Sequence, residues 1–302
     1  MQVDTSTQFQ AGSISKPVTA LGVLELCADG KLDLDSDVNR YLKTWQLASK
    51  FTNNPVTLRE LLCHRAGMVP RSFAGEREAG RPHTLDEALN NHAWFYGWIS
   101  GHYFGTVEAK YPPGSRYLYS AGGYAVVQKA MEDVTAEPFE TAMAGLVLKP
   151  VGMSRSHFQQ PPQDTNDIAR GYGWMLTLFG GGRWRVLPEK AMGGLWTTPQ
   201  DIARLIIAVQ KAKSGEVGGP ISPAIANEYL TAPYDGWQGI GIRLTGSGEN
   251  LKFYHDGANF GYFARFGADV SNGRAWVIMS NGQKNKFGPI TKSIAREFGW
   301  AP

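Results

Sequence analysis

The apolar positions of this chain follow two different periods, one in the first two thirds and one near the end. In the first part they recur every three or four residues, the spacing of one helix face. That spacing predicts helices over residues 18–26, 124–134, 139–148 and 198–211. After residue 235 short apolar runs separated by glycine-containing turns predict β-strands. These runs cover residues 239–244, 251–255, 261–268 and 275–280, and an amphipathic helix over 290–298 follows.

Capping residues mark two further boundaries in this pattern. Thr57 followed by Glu60 has the spacing of a capping box, so a helix is expected to start there. Thr198 precedes Pro199, a residue favoured at the first helical position. Residues 70–112 lack a clear period, and we expect loops and short helices over a cleft in that region.

A helical middle flanked by mixed material predicts an α+β fold with two lobes. We expect a single domain over residues 1–302, which is long enough to bury a sizeable core. The α/β lobe, an antiparallel sheet flanked by helices, takes about residues 1–56 and 212–302. An all-helical lobe takes about residues 57–211. The cleft between them is the expected site of any chemistry.

Composition excludes several classes of function. The net charge of +3 is too small to indicate nucleic acid or an anionic membrane as partner. No apolar run of about 18 residues exists, so no membrane span is predicted. The first ten residues are polar and show no signal peptide, which leaves localisation open. Cys27 and Cys63 are expected as buried apolar residues, and the six histidines lack the close spacing of zinc ligands.

Residues 13–16, which read Ser-Ile-Ser-Lys, hold the first candidate chemistry. A serine hydroxyl needs a base within hydrogen-bond reach before it can act as a nucleophile. Ser13 and Lys16 are three residues apart and share a face if this segment is helical. Backbone N–H groups at a helix start also favour developing negative charge. Alone the pattern is common, and the alternative is a solvated surface segment.

Two later segments offer partners for such a serine. Residues 117–124 place Tyr119 on a glycine-rich turn before a helix, where a nearby lysine would make its phenol a usable base. The alternative is a packed aromatic ring. Residues 254–258 end a predicted strand with His255, Asp256 and Gly257, where a glycine lets a substrate carbonyl approach backbone N–H groups. The alternative there is a plain hairpin with a surface histidine.

The order of these three segments resembles the serine β-lactamase and penicillin-binding-protein-like superfamily, specifically its class-C-like esterase and D-aminopeptidase branch. Its three motifs occur here as Ser-x-x-Lys at 13–16, Tyr-Ser-Ala at 119–121 and His-Asp-Gly at 255–257. Residues 61–67, 150–153 and 193–201 match lesser signatures of the same superfamily. The likeness runs from about residue 5 to the end of the chain.

The resemblance implies catalytic roles. Ser13 would attack a carbonyl and form an acyl-enzyme, while Lys16 and Tyr119 would share the proton transfers. The backbone N–H groups of Ser13 and Ala258 would form the oxyanion hole, the type of group that often dominates acyl-transfer catalysis. His64 is an alternative general base, although its position in the family suggests a structural turn residue. No metal or organic cofactor is needed for this chemistry.

The residues expected to contact the substrate depart from the usual pattern of the superfamily. The resemblance places His255, Gly257 and Asn259 against the substrate, with His255 where penicillin-processing relatives carry a lysine. Ala121 stands where the family usually has an asparagine that contacts the substrate amide. Because alanine cannot make that bond, small esters are favoured over peptides and β-lactams. Ser120 or Asn259 could compensate.

The predicted function is therefore a serine hydrolase that acts through an acyl-enzyme on small esters or amides. The enzymatic alternatives are a D-amino-acid peptidase or penicillin-binding activity and, less favoured because of Ala121, a β-lactamase. A non-catalytic member that binds a ligand or partner is the alternative of another class. Intact Ser13, Lys16 and Tyr119 favour the enzyme.

One further expectation concerns the sheet. Relatives carry a helix and the first strands of the sheet ahead of the Ser-x-x-Lys segment, whereas Ser13 lies near the start of this chain. We therefore expect N-terminal strands to be missing and the sheet edge to be incomplete. An exposed edge presents unpaired backbone groups. Reduced stability follows, or a homo-oligomer in which a partner copy covers the edge.

Overall fold

A computed structural model describes residues 3–73, 75–77, 83–90, 106–178, 182–234, 236–282 and 287–300. Its helices are Ser15–Ala28 (α1), Leu58–Leu62 (α2), Leu85–Leu89 (α3), Ala121–Thr135 (α4), Phe139–Met143 (α5), Lys149–Val151 (α6), Trp174–Leu178 (α7), Lys190–Gly193 (α8), Pro199–Lys213 (α9), Pro223–Tyr229 (α10) and Phe287–Glu297 (α11). Its strands are Phe9–Gln10 (β1), Met68–Val69 (β2), Glu76–Arg77 (β3), Glu108–Ala109 (β4), Arg185–Val186 (β5), Trp196–Thr197 (β6), Arg243–Thr245 (β7), Lys252–Asn259 (β8), Tyr262–Asp269 (β9) and Ala275–Ser280 (β10).

The first helix is longer than the apolar pattern indicated and almost wholly buried. It starts at Ser15 and continues from a 3-10 turn, Gly12–Ile14, that contains Ser13. The serine and Lys16 therefore do not both belong to the α-helix, yet the continuous winding still places them on one side. Buried residues lie on all faces of α1, as expected for a helix that packs against neighbours on every side.

Capping explains where several helices begin. The capping box at Thr57 and Glu60 is present in both directions, as predicted. The Thr198 side chain accepts a hydrogen bond from the backbone N–H of Asp201 at the start of α9. Helix α4 starts three residues before the predicted position, because the Ser120 side chain caps it. The predicted helix over 139–148 is α-helical only as far as Met143, and a π-helical turn, Ala144–Leu148, follows.

The main sheet is antiparallel and contains four strands in the order β10-β9-β8-β7. Strands β8 and β9 form a long hairpin in which His255 pairs with Phe266 and Asn259 pairs with Tyr262. The predicted strand over 251–255 thus extends four residues further, through the Asp-Gly-Ala segment. Only the last two residues of the predicted strand over 239–244 belong to β7, which continues to Thr245. Strand β10 forms one edge, since β9 is its only neighbour in the described sheet.

Both predicted lobes contribute to one continuous core. The main cluster of buried side chains includes α1, α4 and α9 as well as strands β8 and β9. A smaller cluster surrounds the fully buried Trp196. Cys63 is buried as expected, whereas Cys27 is partly exposed at the end of α1, so that prediction was wrong for Cys27.

The expectation for residues 70–112 is met only in part of that range. Its described residues include β3, α3 and β4, which are short elements of the kind expected. Residues 78–82 and 91–105, on which the prediction of loops over a cleft also depends, lie outside the described residues.

Candidate active site

The turn that carries Ser13 lies directly on strand β8, and two glycines make that approach possible. Gly12 has a φ of +53°, and a Cβ built on it would lie 2.5 Å from the backbone nitrogen of Ala258. A Cβ on Gly257 would lie 1.9 Å from the carbonyl oxygen of Ala11. Real side chains do not tolerate such distances, so glycine is required for the backbones to meet. The contact brings the backbone of Ser13 beside that of Ala258.

Lys16 is the base candidate and is 1% exposed. Its Nζ donates hydrogen bonds to Ser13 Oγ at 3.1 Å and to the carbonyl oxygen of Met192 at 2.7 Å. Burial lowers the pKa of the amine, against an opposing effect of Tyr119, and the positive charge of Arg243 lowers it further. A neutral amine, which can accept a proton, is therefore favoured more than for a lysine in water.

Tyr119 is the third member of the predicted catalytic group, with Ser13 and Lys16. Its hydroxyl donates to Ser13 Oγ at 2.8 Å, from the turn that precedes α4. The Lys16 Nζ lies 4.9 Å from the centre of the Tyr119 ring. The serine oxygen thus has an amine on one side and a phenol on the other, contributed by segments about 100 residues apart. Both proton carriers proposed from the sequence reach Ser13 Oγ.

His64 holds the tyrosine turn in place. It has a left-handed backbone with a φ of +57°. Its Nδ1 accepts a hydrogen bond from the backbone N–H of Ser120 at 3.2 Å. The imidazole packs 4.3 Å from the Tyr119 ring. Burial and the nearby Lys16 keep the pKa of His64 well below its ordinary value, so the ring is neutral. These contacts support the structural interpretation of His64.

His255 is not the surface residue of the alternative interpretation, since it is 3% exposed. Its Nδ1 donates to the carbonyl oxygen of Asp256 at 2.7 Å, a tautomer assigned from the acceptor. Burial and the charges of Arg243 and Lys16 lower the pKa of His255 to about 3. The ring is therefore neutral at pH 7 and cannot replace the positive charge of a lysine at this position.

The side chains expected to compensate for Ala121 are already engaged elsewhere. Ala121 is buried at the first position of α4. The Ser120 hydroxyl donates to the carbonyl oxygen of Pro70 and accepts from the N–H of Gly123. The Asn259 amide donates to Gln10 Oε1 and to the carbonyl oxygen of Gly193, both at 3.1 Å. Neither side chain has a free N–H or O–H hydrogen to offer a substrate amide.

Sequence reasoning missed two contributors to the site. One is the carbonyl oxygen of Met192, which follows from no side-chain pattern. The other is Arg243 on β7, which pairs in register with Tyr254 and forms an ion pair with Asp256 at 3.2 Å. Asp256 also pairs with Arg265 on the opposite strand. Charged residues alternating on facing strands were the available signal for this cluster.

The described residues contain no group of three or more histidine, cysteine, aspartate or glutamate side chains that could hold a metal ion. Within the same residues, no helix has the length and apolar character needed to cross a bilayer. The arrangement as it stands brings together a serine, an amine, a phenol and two backbone segments, the components of acyl transfer.

Comparison with known proteins agrees with this geometry. The family model described as Beta-lactamase matches residues 1–297, and the chain belongs to that family. The chain is 24% identical over 226 residues to the teichoic acid D-alanine hydrolase of Staphylococcus aureus. That match covers 74% of this chain and 50% of the relative, so the chain spans about half the length of the curated relative.

Solved structures show the same fold. An octameric penicillin-binding protein homologue from Pyrococcus abyssi superposes with a TM-score of 0.73 at 22% identity, over 99% of this chain and 68% of that one. The D-amino acid amidase of Ochrobactrum anthropi SV3 superposes with a TM-score of 0.73 at 20% identity, over 99% of this chain and 88% of that one. The expected α+β, β-lactamase/transpeptidase-like fold is thereby confirmed.

Proposed function

We propose that this protein is a serine hydrolase that cleaves small esters or amides through an acyl-enzyme on Ser13. One observation carries the proposal: Ser13 Oγ lies within hydrogen-bond distance of both Lys16 Nζ and the Tyr119 hydroxyl. A serine hydroxyl without a neighbouring base is a poor nucleophile, whereas a serine between two proton carriers can lose its proton as it attacks. Membership of the Beta-lactamase family supports the same chemistry.

The reaction follows from these contacts in two halves. Ser13 Oγ attacks the substrate carbonyl carbon while its proton passes to Lys16 or Tyr119. The same pair then returns that proton to the departing alcohol or amine as the acyl bond to the leaving group breaks. In the second half, water gives up a proton to the pair, attacks the acyl-serine and releases the acid. The serine regains its proton, so the site is restored.

Negative charge that develops on the carbonyl oxygen needs donors held in place beforehand. We assign this role to the backbone N–H groups of Ser13 and Ala258. The steric contacts of Gly12 and Gly257 support the assignment, because they bring the two segments together without help from a flexible side chain. Rigid backbone donors need no reorganisation when the charge appears.

Small esters remain the favoured substrates of this proposal. The bonding of Ser120 and Asn259 leaves neither side chain with a donor hydrogen that could replace the one lost with the missing asparagine at Ala121. Because the site has few donors for a substrate amide, it gives amides little advantage in binding over esters. An ester also has a leaving group that is easier to expel. His255, Gly257 and Asn259 would shape this side of the cleft mainly through packing and backbone groups.

Derivatives of D-amino acids are the second candidate substrates. The specific observation is the likeness to a teichoic acid D-alanine hydrolase and to a D-amino acid amidase. Both names describe the release of a small D-amino acid. In this second proposal the acyl group on Ser13 would be a D-aminoacyl group, attached through an ester or an amide.

The test uses four chromogenic substrates on the wild type and Ser13→Ala: p-nitrophenyl acetate, p-nitrophenyl butyrate, D-alanyl-p-nitroanilide and nitrocefin. Ser115→Ala is the matched control, because Ser115 is an exposed serine. Ester turnover that disappears in Ser13→Ala but persists in Ser115→Ala supports the first proposal. Preferred turnover of the D-alanyl anilide, but not its L-alanyl counterpart, supports the second.

A fluorophosphonate probe distinguishes an enzyme without its substrate from a non-catalytic binder. A serine hydrolase should gain the mass of one phosphonyl group at Ser13, as located by peptide mass spectrometry. A wild type that turns over none of the substrates and gains no mass refutes the hydrolase. The non-catalytic alternative would then account for the fold.

We further propose that a second copy of the chain covers the edge strand β10. Its six residues contain no charged side chain and no proline, two features that protect natural sheet edges from pairing. All six are half-buried, and none of their backbone groups forms a hydrogen bond to a described residue beyond β9. Two copies of an uncharged strand can pair without electrostatic repulsion. The octameric assembly of the Pyrococcus abyssi homologue supports self-association.

Light scattering coupled to gel filtration tests this interface. Ile278→Lys places a charge on β10 and should shift an oligomer toward the monomer. Thr245→Lys, on the opposite edge of the sheet, is the matched control and should leave the mass unchanged. A monomeric wild type, or equal masses for all three proteins, contradicts this proposal.

A further inference from the structure

A short segment, residues 188–193, separates the candidate active site from the other side of the molecule. Its front contacts catalytic elements through main-chain oxygens. The Met192 carbonyl accepts from Lys16 Nζ at 2.7 Å, and the Gly193 carbonyl accepts from Asn259 at 3.1 Å. The Ala191 carbonyl accepts from Thr19 on α1 at 3.2 Å. The pose of the Lys16 amine therefore depends on where this segment lies.

The back of the segment is held by one buried amide. Gln128 on α4 is 1% exposed. Its Nε2 donates to the carbonyl oxygen of Pro188, and its Oε1 accepts from the N–H of Ala191, both at 3.1 Å. A single side chain thus engages the backbone on both sides of Glu189. Because α4 begins at the tyrosine turn, Gln128 also links the segment to the element that supplies Tyr119.

A buried charge pair completes the attachment. The Glu189 carboxylate is fully buried, and its Oε1 lies 2.8 Å from His83 Nε2. The other ring nitrogen of His83 lies 2.7 Å from Glu76 on β3. Burial disfavours the charged imidazole, but the hydrogen bonds that it donates to Glu189 and Glu76 outweigh this effect and raise the pKa of His83 to about 10. The histidine is a cation between two carboxylates at neutral pH.

This pair has no place in the proton transfers at Ser13, and burying it is costly. Removing a carboxylate and an imidazolium from water costs several kcal/mol per ion unless their geometry is excellent. Glu189 Oε2 has no hydrogen-bond partner among the described residues, so the carboxylate is not fully compensated. Replacing both members of a buried ion pair by neutral residues often costs no stability. The arrangement suggests a role other than stability alone.

We infer that His83 and Glu189 are positioning residues for catalysis: their ion pair, together with Gln128, holds residues 188–193 so that the Met192 carbonyl fixes the Lys16 amine against Ser13. The inference rests on the proposed serine hydrolase function. Displacement of a catalytic group by about 1 Å can lower a rate by two orders of magnitude. The pair therefore acts on the chemical step and leaves substrate binding unchanged.

The test compares Glu189→Gln and His83→Gln with the wild type, using the best substrate found for Ser13-dependent turnover. Each substitution removes one charge and keeps a similar shape. Rates are expressed per active site titrated with the fluorophosphonate probe, so that unfolded protein is not counted. We expect kcat to fall roughly 10- to 100-fold while KM changes less than threefold.

Glu140→Gln is the matched control. It removes the charge of Glu140, whose carboxylate lies 2.5 Å from Lys190 Nζ and attaches the same segment to α5. The side chains of this pair are more exposed than that of Glu189. Because this ion pair is nearer the surface than the buried Glu189 carboxylate, this variant should keep kcat within about twofold. The double variant carrying both His83→Gln and Glu189→Gln should exceed His83→Gln in kcat, because it no longer leaves the buried Glu189 carboxylate without its partner.

The outcomes separate the two proposals. A wild type without turnover or labelling refutes the hydrolase and the present inference together. A wild type that is active, with Glu189→Gln and His83→Gln equally active per titrated site, refutes only the positioning role, even if both variants melt earlier. A parallel rise in KM would also refute it, because it would indicate a contribution to binding. If Glu189→Gln does not fold, His83→Gln, whose side chain is partly exposed, decides the question.

Discussion

Two lysines with shielded side chains differ in their partners, and the difference bears on the role that we propose for one of them. Lys16 is 1% exposed and Lys129 is 7% exposed. Lys129 lies 2.9 Å from Asp133 and 3.8 Å from Asp86. Among the described residues no carboxylate forms an ion pair with Lys16, whose Nζ contacts a hydroxyl and a carbonyl oxygen. Both amines are shielded from solvent, Lys16 more completely, and only Lys129 has a counter-charge.

The pKa values move in opposite directions for this reason. Burial lowers the pKa of Lys16, and nothing on the site restores it fully. For Lys129 burial acts in the same direction, but the hydrogen bond and charge of Asp133 outweigh it and raise the pKa. His83, on the same side as Lys129, is raised by its carboxylates in the same way. A shielded lysine beside a carboxylate holds its proton more firmly than one without such a partner.

The largest expected effect comes from removing the unpaired amine. Lys16→Met should lower kcat/KM for a Ser13-dependent substrate by roughly 10³- to 10⁴-fold, because the serine loses its principal base. Lys129→Met is the matched control and should retain activity within a few-fold, although the loss of its ion pair costs stability. Steady-state kinetics on both proteins checks this. Equal losses would show that charge pairing does not separate the two lysines.

The phenol should come next in size. Tyr119→Phe removes the hydroxyl that reaches Ser13 Oγ and should lower kcat by roughly 10²- to 10³-fold. Tyr117→Phe removes a hydroxyl two residues away, on a ring that packs 4.7 Å from Trp237. It should change kcat by less than about fivefold. Should Tyr117→Phe be the more damaging variant, the assignment of Tyr119 would be wrong.

A smaller loss is expected from a change to the backbone contact. Gly257→Ala places a methyl group where Ala11 holds its carbonyl oxygen, so the Ser13 turn must move away from β8. We expect a loss of about 10²-fold in kcat and roughly 1–3 kcal/mol of stability. Gly145→Ala has no neighbour within 4 Å and serves as control. Unchanged rates of fluorophosphonate labelling in Gly257→Ala would contradict the oxyanion assignment.

The smallest effect concerns stability and pH. The pKa of His83 is raised in the folded protein to about 10, above the usual value of 6.5. Its stabilising contribution is therefore full below about pH 6.5 and is lost as the pH rises towards 10. His255, with a pKa lowered to about 3, acts oppositely: its contribution is lost as the pH falls below 6.5. The combined contribution of these two histidines to stability should be greatest near pH 6.5.

Thermal melts between pH 6 and 10 test the alkaline half of this statement. His83→Gln should melt several degrees below the wild type at pH 6, and the gap should close by pH 10. The pKa of His157 is lowered by burial, so His157→Gln should leave the alkaline slope unchanged. Parallel curves for the wild type and His83→Gln would show that the ion pair contributes no pH-dependent stability.

Several parts of this protein could be predicted from the sequence because they depend on interactions between neighbouring residues. The capping residues Thr57 and Thr198 mark real helix starts because a cap involves only neighbouring backbone groups. The helix that follows Ser13 and the hairpin of β8 and β9 agree with their apolar periods. The three motifs also identified the residues that meet at the serine, through the order in which they occur.

What the sequence by itself determined is therefore the long helices and the main hairpin, the family, and which serine, lysine and tyrosine meet in the fold. These depend on periodicity and on short motifs. Only the tertiary structure decided which groups surround them. The carbonyl of Met192, the neutral state of His255 and the cation at His83 all arise from contacts between residues far apart in the chain. Burial and counter-charge are properties of an assembled environment, and no stretch of neighbouring residues encodes them.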